Sequence, residues 1–304
     1  MRIASTQYHS TMNTALQNAS SRLEKIMQQM ASGQKLQVPS DDPITNVRLS
    51  RLTREEAALT QYRDNISALS SRLQQNETQL SGMSNDLLNA RDLLVWAANG
   101  GGNTAEDMVA MAGSLESLRD GLFYSANSRD QEGRFLFSGT ATGTSTVTYD
   151  ASQPAGARYT FTGNTASQKV VVGNGVTQTA NVTLEEMATF LNELDSTIAV
   201  LQAPGMVPTS AAVMGQVRAG IDGLDAALSS ISGKIAGLGG AQNILATLET
   251  NHANVSLSNK QATLTLGQLD YSDAAVKLNG YTNALQATQQ AYAKVSKLSL
   301  FDVL

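Results

Sequence analysis

From Leu52 onward an apolar residue returns at every seventh position: Leu52, Leu59, Ile66, Leu73, Leu80, Leu87 and Leu94. Three residues after each stand Glu55, Tyr62, Leu69, Asn76, Met83, Ala90 and Ala97, most of them apolar. The two series form a heptad seam, in which Asn76 is a polar residue of the kind that fixes register. The stretch has a start signal in Val38-Pro39-Ser40-Asp41-Asp42-Pro43, with Asp42 as N-cap and Pro43 at the first helical position. It has a stop in Asn99-Gly100-Gly101-Gly102. About 56 residues at 1.5 Å each make a helix of roughly 84 Å.

A second helix is predicted from Thr104, with Asp107 completing a capping box, through Met108, Met111, Leu115, Leu118 and Leu122 to about Asn127. Arg134-Phe135-Leu136-Phe137-Ser138-Gly139 reads as a strand ending in a turn. Residues 141–182 contain no Leu, Ile or Met but nine Thr and five Gly, and four short runs have strand composition: 146–149, 158–162, 168–172 and 176–182. A short helix over 184–201 follows. Past Pro208 a long one carries Ile221, Leu224, Leu228, Ile231, Ile235, Leu238 and Leu245, weakened locally by Gly237, Gly239 and Gly240.

The ends of the chain mirror each other. Met12, Leu16, Ala19, Leu23, Ile26 and Met30 make one narrow apolar stripe. Ala274, Leu278, Tyr281, Leu285, Thr288, Tyr292 and Val295 make another, with Thr288 polar. Neither can bury itself, and a lone amphipathic helix is marginal in water. Each end needs a partner, either the other end or another subunit.

The expected fold is therefore mainly α with a small β insertion. It is a rod-shaped antiparallel helical bundle or coiled coil made by the N- and C-terminal halves, with a β-rich outer domain at the hairpin tip. The domain boundaries follow as 1–43 (N-terminal coil segment), 44–140 (N-terminal half of the rod), 141–182 (outer domain), 183–268 (C-terminal half) and 269–304 (C-terminal coil segment). Poor in large aliphatics and placed at the tip, residues 141–182 are expected to be dispensable for the scaffold.

Composition narrows the chemistry. The chain has 304 residues and 39 alanines, the best helix former, while aromatics are only 5%. Lys and Arg number 21 against 26 for Asp and Glu, a net charge of −5, which gives no footprint for nucleic acid. Absence of cysteine excludes disulfides, thiolate metal sites and cysteine nucleophiles. His9 and His252 are the only histidines, so a His-rich metal site is excluded, and both read as surface or seam residues. Asp41-Asp42 could serve as an acid/base pair, but helix capping beside Pro43 explains both residues better. Gly100-Gly101-Gly102 lacks the lysine and preceding strand of a phosphate loop and reads as a linker. Cofactors and catalytic residues are expected to be none, so the chain reads as a non-enzyme. No stretch approaches eighteen apolar residues, so no membrane insertion is expected, and the polar N-terminus lacks a secretory signal.

Several stretches resemble the flagellin superfamily, in particular its hook-associated proteins of the hook–filament junction. They are Met1-Arg2-Ile3-Ala4-Ser5-Thr6, QMASGQKLQVPSDDP (29–43), QYRDNISALSSRLQQNETQL (61–80), ANSRDQEGRFLFSGT (126–140) and the tail LDYSDAAVKLNGYTNALQATQQAYAKVSKLSLFDVL (269–304). The ending Leu298-Ser299-Leu300-Phe301-Asp302 points to the junction branch rather than to filament flagellin. The resemblance implies a secreted structural subunit of the bacterial flagellum, a motility component at the distal end of the hook. Its implied partners are copies of itself in a ring, the other hook-associated junction protein, flagellin, and a cytoplasmic export chaperone at the C-terminal segment. It also implies type III export, with terminal segments disordered in the free subunit that become coiled coil on assembly. Assembly and chaperone contacts are then expected at Leu278, Tyr281, Leu285, Tyr292 and Val295 and at Met12, Leu16, Leu23, Ile26 and Met30. Filament flagellin and a non-exported coiled-coil scaffold or signalling protein stand as alternatives.

Overall fold

A computed structural model describes residues 2–99 and 102–297. Among them the order is α1 (Arg2–Ser32), α2 (Pro43–Ala98), α3 (Ala105–Ala126), β1 (Val147–Tyr149), β2 (Tyr159–Phe161), β3 (Lys169–Gly173), β4 (Val176–Thr179), α4 (Glu186–Leu201), α5 (Ala211–Gly267) and α6 (Tyr271–Lys297). The chain is mainly helical with a small β insertion, as its periodicities predict. Packing divides it into two compact units, residues 1–59 with 253–304 and residues 60–252.

The second unit holds the large core. From Ile66 to Ala97 every seam position of α2 is at most 4% exposed. Val217, Leu224, Ile231, Leu238 and Leu245 bury the matching face of α5, and Met108, Leu115, Leu122, Leu191 and Leu194 close the core from α3 and α4. Arg63–Glu249 and Arg91–Asp225 pair across α2 and α5 at 2.8 and 2.6 Å, so the two helices run antiparallel. α3 begins as its sequence says: the Thr104 hydroxyl accepts from the Asp107 amide and the Asp107 carboxylate accepts from the Thr104 amide.

One expectation is corrected. In the 134–139 segment residues 135–139 are buried, yet it forms no strand, only single bridges Arg129–Phe135 and Ser138–Thr183. Its backbone is taken up by loops instead, Leu136 N–H donating to Ser128 O and Phe135 N–H to Thr142 O. Gly139 then turns it at φ 73°, where a Cβ would stand 2.0 Å from the Asn164 carbonyl, so only glycine fits. α2 begins at Pro43, and the chain turns between α5 and α6 at 268–270. The first turns of α2 and the last of α5 pack in one unit with the termini, and Glu56 of α2 takes the Ser256 hydroxyl and Lys260 of α5.

Residues 141–182 have no core of their own. Val147, Tyr159, Val172 and Ala180 are buried in the same cluster as the helices. Two antiparallel hairpins, β1–β2 and β3–β4, supply too few strands to be stable alone. Asparagine side chains close their edges. Asn127 donates to Val147 O (2.9 Å) and accepts from Val147 N–H (3.1 Å), and Asn192 does the same for Tyr159 at 2.7 and 2.8 Å. Behind them lies Asp195, 2% exposed, which accepts from Arg119 (2.9 Å), Arg158 (3.4 Å) and the Gly156 amide (3.2 Å). The insertion is built into the helical body.

Asp195→Ala strands Arg119 in a nearly dry site, a defect worth about 3–5 kcal/mol for a fully uncompensated charge. Arg119 keeps Asp120 and Glu116 at its outer end, so a loss of about 3 kcal/mol is expected in denaturant unfolding. A loss under about 1 kcal/mol would show that the clamp is dispensable.

In the seam, both amide atoms of Asn76 are buried without a hydrogen-bond partner. Asn76→Leu should therefore raise the urea midpoint, by about 1–2 kcal/mol of stability. A lowered midpoint would show the amide to be satisfied in solution.

Candidate assembly surface

The first unit brings the two terminal stripes together. α1 and α6 lie antiparallel. His9 meets Tyr292 edge to face at one end (ring centroids 5.6 Å), and Gln34 bridges Gln268 at the other. At that second end the chain forms an elbow: Lys35 N–H donates to Gly267 O (2.8 Å) and Leu269 N–H to Gly33 O (3.0 Å). Gly33 ends α1 at φ 69°, and the Tyr271 hydroxyl donates to Met30 O (3.3 Å).

Between the helices Ile26, Leu269 and Ala274 are buried, with Leu23, Met30, Leu278 and Tyr281 packed on them. Further from the elbow Met12, Leu16, Leu285 and Tyr292 line the same side and are only half-buried. The side chain of Val295 and the tail from Leu298 fall outside the described residues, as do Gly100 and Gly101. The contrast with α2 is physical. A seam enclosed by several helices is dry, whereas two helices touch along a line and leave each stripe open on its flanks. Leu52, at the α2 end that lies in this unit, is likewise half-buried, Leu59 is buried, and the exposed Glu55 adds no wall.

The elbow is set by carboxylates. Asp42 accepts from the Thr45 amide (3.1 Å) and hydroxyl (2.6 Å) at the start of α2, with Pro43 at the first helical position. Those bonds, the hydroxyl first, hold its carboxyl below the ordinary carboxylate range. Asp41 is lowered in the same direction, by Lys25 first and then by the Gln37 amide. The two acids therefore fasten backbone and α1. Neither approaches a catalytic partner. Among the described residues no group of acids and histidines could hold a metal ion, and no helix is long and apolar enough to cross a membrane. His252, the other histidine, donates from Nε2 to Val172 O (2.8 Å) and lies tilted against Tyr62, a packing role in the second unit.

The stripes were visible in the sequence as periodic apolar positions. The elbow bridge was not, because it is made by backbone groups and by Gln34 and Gln268, which carry no pattern. The Asn127, Asn192 and Asp195 contacts were missed for a related reason. Asp195 did offer a signal, an acid on the face shared by Leu191, Leu194 and Ile198 of α4.

One unit thus pairs two terminal helices with half-open stripes, and the other is a closed helical core. Residues 3–142 match the family described as "Bacterial flagellin N-terminal helical region". Flagellar hook-associated protein 3 of Escherichia coli is 26% identical over 318 aligned positions, covering 100% of this chain and 99% of that protein. The solved structure of a chain assigned as a flagellar hook-associated protein from Vibrio parahaemolyticus is 32% identical, with a TM-score of 0.66, and covers 74% of this chain and 99% of its own. A junction protein FlgL from Legionella pneumophila shares the fold at a TM-score of 0.59 and 14% identity, over 73% of this chain and 100% of its own. The chain belongs to the flagellar hook-associated proteins of the flagellin superfamily, FlgL type.

The lowered Asp42 pKa has a sign. Its contribution is complete above about pH 4, the unfolded value, and is lost as pH falls through the lower folded one. Protection of the Thr45 amide, corrected for intrinsic exchange, should fall with acid in the native chain. It should hold in Asp42→Asn, which still caps. Equal acid loss in both would count against this cap as the titrating group.

Proposed function

We infer that the chain is a structural subunit of the bacterial flagellum at the hook–filament junction, an adaptor on which the filament assembles. The observation that carries this reading is the half-buried state of both terminal stripes in a subunit whose other seam is dry. Burying a large apolar side chain contributes about 1.5–3 kcal/mol. Completing the burial of Leu16, Leu285, Tyr292 and their neighbours against other copies therefore supplies a strong drive to assemble. The partners are copies of this chain in a ring, the second hook-associated junction protein on one side and flagellin on the other.

The same exposed stripe suits a cytoplasmic chaperone, which would cover Leu278, Tyr281 and Leu285 before type III export places the subunit outside the cell. A marginal two-helix unit also fits terminal segments that are disordered in the free subunit and order on assembly. The family is one of structural proteins, so the chain acts by packing and not by catalysis.

Leu285→Asp puts a charge into the seam that assembly must dry, a cost of several kcal/mol. The second unit should fold normally, export should be measured separately, and filament attachment should be lost. Immunogold labelling of isolated hook–filament structures should show a narrow band at the junction for the native chain and none for the variant. Label along the whole filament would favour flagellin. Label confined to the cytoplasm would favour a scaffold.

A further inference from the structure

Beside the elbow a trough of about 580 Å³ opens between the loop after α1, the start of α2 and the end of α5. A second hollow of about 410 Å³ continues it along the same helices, sharing Thr263 and Leu264. Clefts of this size hold peptides and small molecules. The first hollow is lined without a single charged residue, and Leu36, Val38, Leu49 and Leu264 give it an apolar surface. Val38 is 50% and Leu264 60% exposed, so the subunit leaves this surface uncovered. Lys260 and Glu56 stand only in the continuation.

The residues after α6 have matching chemistry: Leu298-Ser299-Leu300-Phe301-Asp302-Val303-Leu304, five large apolar side chains and one charge in seven. We propose that the trough is the docking site for residues 298–304 of a second copy of this chain. Geometry decides between the subunit's own tail and another's. α6 starts at the trough, whose wall includes Gly267 and Gln268, and runs alongside α1 as far as Lys297. Its 27 residues carry the chain about 40 Å away from the trough. Seven extended residues reach back at most about 25 Å. The tail falls short of its own trough and is delivered to a neighbour's. Such a contact joins two different surfaces, so it can propagate from copy to copy in a ring or helical array. In this respect it deepens the junction reading and rests on copies being neighbours there.

The test uses the full chain at a concentration where it is monomeric, with a fluorescent peptide of residues 297–304 followed by anisotropy. Saturable binding is expected. It should weaken at least tenfold for chains carrying Leu264→Glu or Val38→Glu, both at exposed positions that folding does not require, and for a peptide carrying Phe301→Ser. Absence of saturation would overturn the proposal. So would undiminished binding to both trough variants, which would put the peptide elsewhere, or equal binding of a scrambled peptide, which would make the trough a general apolar surface for some other occupant. Because binding is read in solution, its failure is separate from failure of the junction assignment, which the immunogold band decides.

Discussion

A long amphipathic helix has one apolar face and no means of covering it. α2 and α5 solve this in the second unit by facing each other antiparallel, with α3, α4 and the hairpins closing the sides, until the seam from Ile66 to Ala97 is nearly free of solvent. Among the described residues the apolar stripes of α1 and α6 pack chiefly on one another. The same constraint thus has a complete solution in one unit and half a solution in the other, and the unfinished half is where other chains can contribute.

The helices were legible because heptad and three/four spacings are read directly from the sequence. The seam of α2, the Asp42-Pro43 start, the Thr104 capping box and the two terminal stripes are all local patterns, although which partner each stripe takes was open. Tertiary burial also overrode one local signal. Gly237, Gly239 and Gly240 each cost about 1 kcal/mol in a helix, yet α5 runs unbroken through them. Leu238, Ala241 and Leu245 on its inner face are buried, and the glycines meet open space, so packing outweighs propensity there.

What was not legible depends on pairings between residues far apart in sequence. Phe135-Leu136-Phe137 has the composition of a strand, but a strand needs a neighbour, and the adjoining backbone is used by loops. The integration of 141–182 was hidden for the same reason. A run of Thr and Gly gives no hint that Tyr159 and Val172 enter a helical core, or that Asn192, 33 residues on from Tyr159, supplies its missing hydrogen bonds.

Those asparagine contacts explain how a weakly patterned insertion can be held firmly. Asn127 and Asn192 grip backbone N–H and C=O groups, which every residue at those strand positions except proline possesses. Asn181 does likewise with Gln168 N–H and Ala166 O, and the Asn65 side chain donates to Val171 O. The outward side chains of the hairpins, such as Thr148, Val171 and Val176, are exposed and take no part in that hold. Anchoring by amide to backbone separates attachment from sequence. The helices must keep their spacing to keep the seam dry, whereas the hairpin surface can change while its grip on α3 and α4 stays intact. A subunit that must fit fixed neighbours through its helices can in this way present a variable face through its strands.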